Sequence, residues 1–183
     1  MEIIKTDLPG PLIIKPQIFK DARGFFYESY QKEKFQKNGI LEEFIQDNQS
    51  SSVKGTLRGL HYQLKRPQAK LCRVIKGSVF DVAVDIRKDS PSFGKWTSVI
   101  LSEENQIEFY IPSGFAHGFC VLSERAEFLY KCSDYYYPED SYGIIWNDPE
   151  LKIDWPLANP LLSEKDAACP SIHTIDPQFL PIK

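Results

Sequence analysis

The chain has one methionine, three histidines and four cysteines, and no two of those cysteines form a C-x-x-C pair. Cys72, Cys120, Cys132 and Cys169 stand far apart, so the usual spacings of a zinc or thiol-redox site are missing and free, mostly buried thiols in a reducing compartment are expected. No stretch is apolar for long enough to span a membrane, and Met1 to Gly10 contain no signal-peptide core, which makes the cytoplasm the default location. Positive charge is scarce as well as scattered: the net charge is -3 and no basic run occurs, so a general nucleic-acid binder is excluded. Internal repeats and low-complexity tracts are also lacking.

What is present suits one soluble domain over residues 1–183, with 171–183 as a loosely packed C-terminal tail. Aromatic residues make up 13% of the chain, a share that favours sheets. Leu12 to Phe19 is an apolar run interrupted by Pro16, hence an edge or broken strand. A turn at Lys20 to Gly24 precedes an aromatic strand at Phe25 to Tyr30, and Gln31 to Asn38 reads as a short helix closed by Gly39. Phe44 to Asn48 is a further strand, followed by a serine-rich loop at Ser50 to Ser52.

From Leu57 onward, strand signals recur at short spacing. They fall at Leu57–Gln63, Leu71–Ile75, Val79–Ile86, Trp96–Leu101, Ile107–Ile111, Ala116–Leu122 and Glu127–Ser133. Within Val79–Ile86, Phe80, Val82, Val84 and Ile86 share one face and Asp81, Ala83 and Asp85 the other. Ile144 to Trp146 is a candidate short strand, and Ser163 to Ala168 a short helix with Ser163 as N-cap and Asp166 at the third helical position. The expected fold is mainly β: a double-stranded β-helix jelly roll with a few short helices.

The run Leu57-Arg58-Gly59-Leu60-His61-Tyr62-Gln63 sets a histidine and an arginine in an apolar strand, with His61 and Arg58 on opposite faces by period two. A histidine entering a sheet interior needs partners or loses its charge. Taken singly, His61 reads as a structural histidine, Tyr130 as a core tyrosine, Lys70 as a snorkelling lysine and Asp166 as a capping acid. Arg23, Arg58, His117 and Lys165 each pass as surface charges. No second histidine follows His61 at ligand spacing, and the next is His117, a thin set for a metal; none is expected.

Together, eight blocks change the picture. Asp21-Ala-Arg-Gly-Phe-Phe-Tyr-Glu-Ser-Tyr30, Gln46-Asp-Asn48, Leu57 to Gln63, Val79 to Arg87, Ile111-Pro-Ser-Gly-Phe-Ala-His-Gly-Phe119, Ala126-Glu-Phe-Leu-Tyr-Lys131, Trp146-Asn-Asp-Pro149 and Ser163-Glu-Lys-Asp-Ala-Ala168 resemble the dTDP-4-dehydrorhamnose 3,5-epimerase family, in order, from about Ile3 to Pro170. The resemblance implies a cupin-like, metal-free homodimer with no cofactor. It implies a substrate, dTDP-4-dehydro-6-deoxy-D-glucose, inverted at C3 and C5 to dTDP-4-dehydro-L-rhamnose through enolates formed beside the C4 ketone.

By the same resemblance His61 is the base and Tyr130 the opposed acid. Asp166 orients His61, and Lys70 stabilises the enolate oxygen and touches the substrate. The dTDP-sugar contacts are Arg23, Glu28, Gln46, Asp47, Asn48, Arg58, His117, Tyr136 and Lys165, with Tyr136 stacking on thymine. Many members carry a glutamate where this chain has Ser141, preceded by Glu139 and Asp140. A single-position epimerase and a non-catalytic ligand-binding cupin are the alternatives; retention of both His61 and Tyr130 argues against a ketoisomerase. Arg58, facing away from His61 on an ideal strand, needs a bulge near Gly59 or a role in a neighbouring subunit.

Overall fold

A computed structural model describes residues 1–182. In chain order the strands are β1 (Glu2–Lys5), β2 (Leu12–Lys15), β3 (Phe19–Asp21) and β4 (Gly24–Phe26), then helix α1 (Lys32–Lys37). There follow β5 (Gln46–Val53), β6 (Leu57–Gln63), β7 (Lys70–Lys76), β8 (Ser78–Asp85), β9 (Trp96–Ser102), β10 (Glu108–Ile111), β11 (Phe115–Val121), β12 (Arg125–Cys132) and β13 (Ser141–Gly143), then helix α2 (Glu164–Ala167).

Two antiparallel sheets form the jelly roll. One has the order β1-β2-β10-β7-β12-β5, the other β13-β6-β11-β8-β9, and β3 with β4 makes a separate hairpin. The main core lies between the sheets: Cys72, Val74, Phe109, Ile111 and Phe128 from the first meet Val79, Ala83, Leu101, Phe119 and Val121 from the second. A second apolar layer covers the outer face of the five-stranded sheet, where Val82, Val84 and Ile86 pack against Ile144, Leu151, Ile172 and Leu180. The alternation read along Val79–Ile86 therefore holds, but both faces are buried, and Asp81 points into the sandwich with no exposure.

Four expectations need correction. The serines at 50–52 are strand, not loop: Gln46–Val53 pairs residue for residue with Arg125–Cys132, and this cross-strand ladder overrides the turn-like composition. The aromatic strand at Phe25 to Tyr30 stops at Phe26. Beyond it Tyr30 packs edge-on against Phe35 and Phe44, and Tyr27 Oη accepts from Arg73 Nη1 at 3.1 Å. The strand near Ile144 lies instead at Ser141–Gly143, paired with Tyr62 and its neighbours on β6.

The C-terminal tail is not loose. The Asp148 carboxylate accepts from Ser171 Oγ at 2.6 Å and Ile172 N at 2.7 Å, Tyr62 Oη donates to the Phe179 carbonyl at 3.0 Å, and Ile172 and Leu180 are buried. All four cysteines are free thiols, three of them buried. No helix among the described residues is long and apolar enough to cross a membrane.

Candidate active site

Strand β6 positions the central histidine, and its irregularity decides what shares the site. His61 faces His117 on β11, whereas Arg58 faces Phe119, so Gly59 and Leu60 together oppose Gly118 alone. That extra residue is a bulge, and it turns Arg58 onto the same side as His61. Gly59 has a φ of 109°, and a Cβ there would lie 2.5 Å from the His117 carbonyl oxygen, so only glycine fits. The mismatch between Arg58 and His61 read from an ideal strand is thereby removed within one chain.

A cavity of about 620 Å³ opens between the sheets. Its five-stranded wall presents Arg58, His61 and His117; its six-stranded wall presents Gln46, Asn48, Lys70 and Tyr130. Lys165 and Asp166 from α2, and Tyr136 from the loop after β12, complete the rim. Ten of the thirteen residues singled out from sequence thus converge on one space.

His61 Nε2 lies 2.5 Å from Asp166 Oδ1. Asp166 is buried, and burial alone would raise its pKa. Hydrogen bonds from His61, Ser163 and the Gly59 N–H outweigh burial and hold it below the ordinary carboxylate value. A charged Asp166 accepts from Nε2–H and leaves Nδ1 of His61 free to take a proton. Helix α2 delivers this acid: Ser163 Oγ accepts from Asp166 N at 3.1 Å.

On the facing sheet, burial pushes the Tyr130 hydroxyl up to about 12, so it carries its proton at neutral pH. Lys70 Nζ sits 5.9 Å from the centre of the Tyr130 ring. Arg58 Nε and Nη2 reach Ser52 Oγ at 3.2 and 3.1 Å, which holds the guanidinium between the sheets. Gln46 Oε1 accepts from Tyr136 N at 2.9 Å and Gln46 Nε2 donates to Asn48 Oδ1 at 3.1 Å, tying the aromatic loop to β5.

Three of the thirteen do not line this cavity. Asp47 lies between Gln46 and Asn48 on a strand, so it points to the outer face, where it pairs with Lys131 at 2.8 Å. Arg23 belongs to the β3–β4 hairpin and pairs with Asp21, and Glu28 pairs with Lys34 on α1. Neither acid before Ser141 lines the cavity, whereas Ser141 does. Asp140 accepts from the backbone N–H groups of Leu64, Lys65 and Arg66, and Glu139 is exposed; Ser141 Oγ itself accepts from Lys165 Nζ at 3.1 Å.

Residues not anticipated also line the cavity, among them Ser50, Gln63 and Phe119. Period two from Gln46 and Asn48 would have found Ser50, and period two from His61 would have found Gln63. Gln63 Oε1 accepts from Tyr137 N at 2.8 Å and so anchors the loop that carries Tyr136.

Known proteins match this arrangement along nearly the whole chain. The dTDP-4-dehydrorhamnose 3,5-epimerase family profile covers residues 5–174. The dTDP-4-dehydrorhamnose 3,5-epimerase of Shigella flexneri is 55% identical over 168 residues, 91% of this chain and 93% of that protein. That of Methanothermobacter thermautotrophicus is 53% identical over 166 residues, 89% of this chain and 90% of that protein. The crystal structure of dTDP-6-deoxy-D-glucose-3,5-epimerase from Legionella pneumophila, in complex with dTDP-4-keto-L-rhamnose, superposes with a TM-score of 0.97 at 54% identity, covering 100% of this chain and 98% of that one. With a jelly roll whose two sheets enclose His61, Asp166 and Tyr130, and with these relatives along its length, the chain belongs to the dTDP-4-dehydrorhamnose 3,5-epimerase family.

Proposed function

We infer that the chain is an isomerase that epimerises dTDP-4-dehydro-6-deoxy-D-glucose at C3 and C5 to dTDP-4-dehydro-L-rhamnose, a step of dTDP-L-rhamnose formation. The observation that carries this reading is the placement of His61 and Tyr130 on opposite walls of one cavity. Both target carbons adjoin the C4 ketone. His61 Nδ1 takes the proton from carbon, the bond's electron pair moves into an enolate, and Tyr130 returns a proton to the other face. Lys70 steadies the negative enolate oxygen, and Asp166 holds the imidazolium that forms.

In this reading Gln46, Asn48, Arg58, His117, Lys165 and Tyr136 hold the nucleotide. The whole chain acts as one cupin-like domain in the cytoplasm, in keeping with its reduced thiols. A homodimer accounts for two of the three residues left outside. The β3–β4 hairpin exposes Phe19, Phe25 and Phe26, at 56%, 59% and 70%, and would bring Arg23, with Glu28 just beyond it, to the cavity of a second copy. Sedimentation as a monomer at micromolar concentration would contradict this.

The test of the chemistry is incubation with the 4-keto sugar nucleotide in deuterated water, following C3 and C5 by NMR. Exchange with inversion at both carbons is expected. Exchange at neither would sink the enzyme reading, and exchange at one only would make it a single-position epimerase. His61→Ala should lose exchange at both carbons, by a factor of about 10²–10⁴. Tyr130→Phe should retain some exchange while losing inverted product; normal epimerisation by that variant would remove Tyr130 as the acid.

A further inference from the structure

Next to the His61–Asp166 pair lies a second pair of the same composition. His117 Nε2 is 2.8 Å from Asp81 Oδ1, and the two side chains are diagonal neighbours on one face of the β8–β11 ladder, offset by two residues in register. Asp81 is wholly buried and its Oδ2 has no partner among the described residues. His117 Nδ1 has no protein hydrogen bond there either, while the residue lines the cavity. A sealed carboxylate with an orphaned oxygen is costly to stability and calls for a reason to be kept.

We propose that Asp81 is a positioning residue that acts through His117, fixing Nε2 so that Nδ1 presents an N–H donor to an acceptor oxygen of the bound sugar nucleotide. The argument rests on proton counting and on the substrate assigned above. With one proton between them, the pair carries a full negative charge where Asp81 has no access to water. With two, it is neutral. The second arrangement hydrogen-bonds in two forms, imidazolium beside carboxylate or imidazole accepting at Nε2 from a carboxylic acid protonated on Oδ1, and in both Nδ1 bears hydrogen.

Burial favours the neutral pair: it raises Asp81 and lowers His117. The other groups facing the ring are Lys70 and Cys72 from β7 and His61 from β6. Lys70 favours the negative form of Asp81, but burial outweighs it, and Cys72 Sγ is 3.8 Å from Nε2 with its thiol kept protonated by burial. His117 thereby acts as a donor, where His61, beside a charged acid, acts as a base.

The test reads the ring directly. Two-bond proton–nitrogen NMR of the free protein should find His117 Nδ1 fully protonated at neutral pH in the wild type and only partly so in Asp81→Ala, where no carboxyl is left to fix the tautomer through Nε2. A folded Asp81→Ala should lose about 10–100-fold in kcat/KM, mostly through KM, the range of one hydrogen bond to a charged group. Asp81→Asn, whose amide can donate to Nε2, should keep Nδ1 protonated and lose less than tenfold.

Asp81→Ala combined with His117→Ala should be no slower than His117→Ala alone. A bare Nδ1 in the wild type overturns the proposal, and so do an unchanged kcat/KM in Asp81→Ala, additive losses in the double variant, or a stoichiometric divalent ion that copurifies and is lost with Asp81. Should Asp81→Ala fail to fold, the wild-type spectrum and Asp81→Asn still decide. The spectrum needs no turnover, so a protein without epimerase activity would refute the substrate assignment and leave the proton on Nδ1 measurable.

Discussion

Two His–Asp pairs share the cavity wall of the five-stranded sheet, one with its acid from α2 and the other with its acid from β8, and they are tuned in opposite directions. Both bond through Nε2, at 2.5 Å for His61–Asp166 and 2.8 Å for His117–Asp81. The His61 side chain is 34% exposed and that of His117 is 7% exposed. Asp166 receives additional hydrogen bonds from Ser163 and Gly59 and is held below the ordinary carboxylate value, whereas Asp81, with one oxygen orphaned, is pushed above it. The difference teaches that residue type does not set the role of such a pair. The supply of donors to the carboxylate decides whether its histidine takes a proton or offers one.

The strongest way to break this comparison is Asp166→Ala. If a charged acid makes His61 a base, its loss should cost about 10³–10⁴-fold in exchange at both carbons, the scale seen when the acid behind a catalytic histidine is changed. Asp81→Ala should cost less. The reverse order would mean the roles are interchanged. Stability supplies a second measurement. A carboxyl whose folded pKa is depressed stabilises the protein fully above its unfolded value, 3.8 here, and loses that contribution as pH falls through the lower folded value. Urea midpoints of wild type and Asp166→Ala should therefore converge in acid.

Glu108 is the limiting case on the other side. It is fully buried on β10, neither oxygen has a partner among the described residues, and burial pushes it up to about 8 against the opposing pull of Arg73 and Lys131. The sign is opposite to that of Asp166. The folded chain keeps a proton that the unfolded chain releases above 4.5, so stability falls as pH rises from 4.5 to 8. At about 1.4 kcal/mol per pH unit, the loss by pH 8 is on the order of 3–5 kcal/mol. Glu108→Gln should flatten that part of the stability profile, and an unchanged slope would show that Glu108 is ionised in the fold.

How much of this could be read from sequence follows from what each feature depends on. The strand Leu57–Gln63, the helix at Ser163 and the free cysteines are local patterns, and they stood as expected. The faces of β8 followed from alternation, but which face was wet did not, since both are covered by other parts of the chain. Ser50 to Ser52 looked like a loop because serine has weak strand preference; the eight-residue ladder with β12 is a long-range fact. The tail looked loose because its anchor, Asp148, lies over twenty residues earlier in the chain.

The site was legible as a list of residues and not as a shape. Asp47 was named with Gln46 and Asn48 through the family resemblance, and the strand turns its side chain away from theirs. The His117–Asp81 pairing could not be found from the chain, because its members are 36 residues apart and meet only through the β8–β11 register.

The smallest expected effect sharpens the comparison at its structural root. Asp166 keeps its charge partly because α2 begins at Ser163, whose hydroxyl accepts from Asp166 N and helps hold the carboxyl down. Ser163→Ala should cost about 1 kcal/mol of stability, the usual value of an N-cap hydroxyl. It should also move the acid limb of the exchange profile toward higher pH, because Asp166 would then protonate more readily. The nitrogen spectrum of His117 should not move, since its hydrogen-bond partners are Asp81 and Cys72 and none lies on α2. A change at His117 in that variant would mean that the two pairs titrate as one unit, and the contrast between base and donor would then belong to the site as a whole.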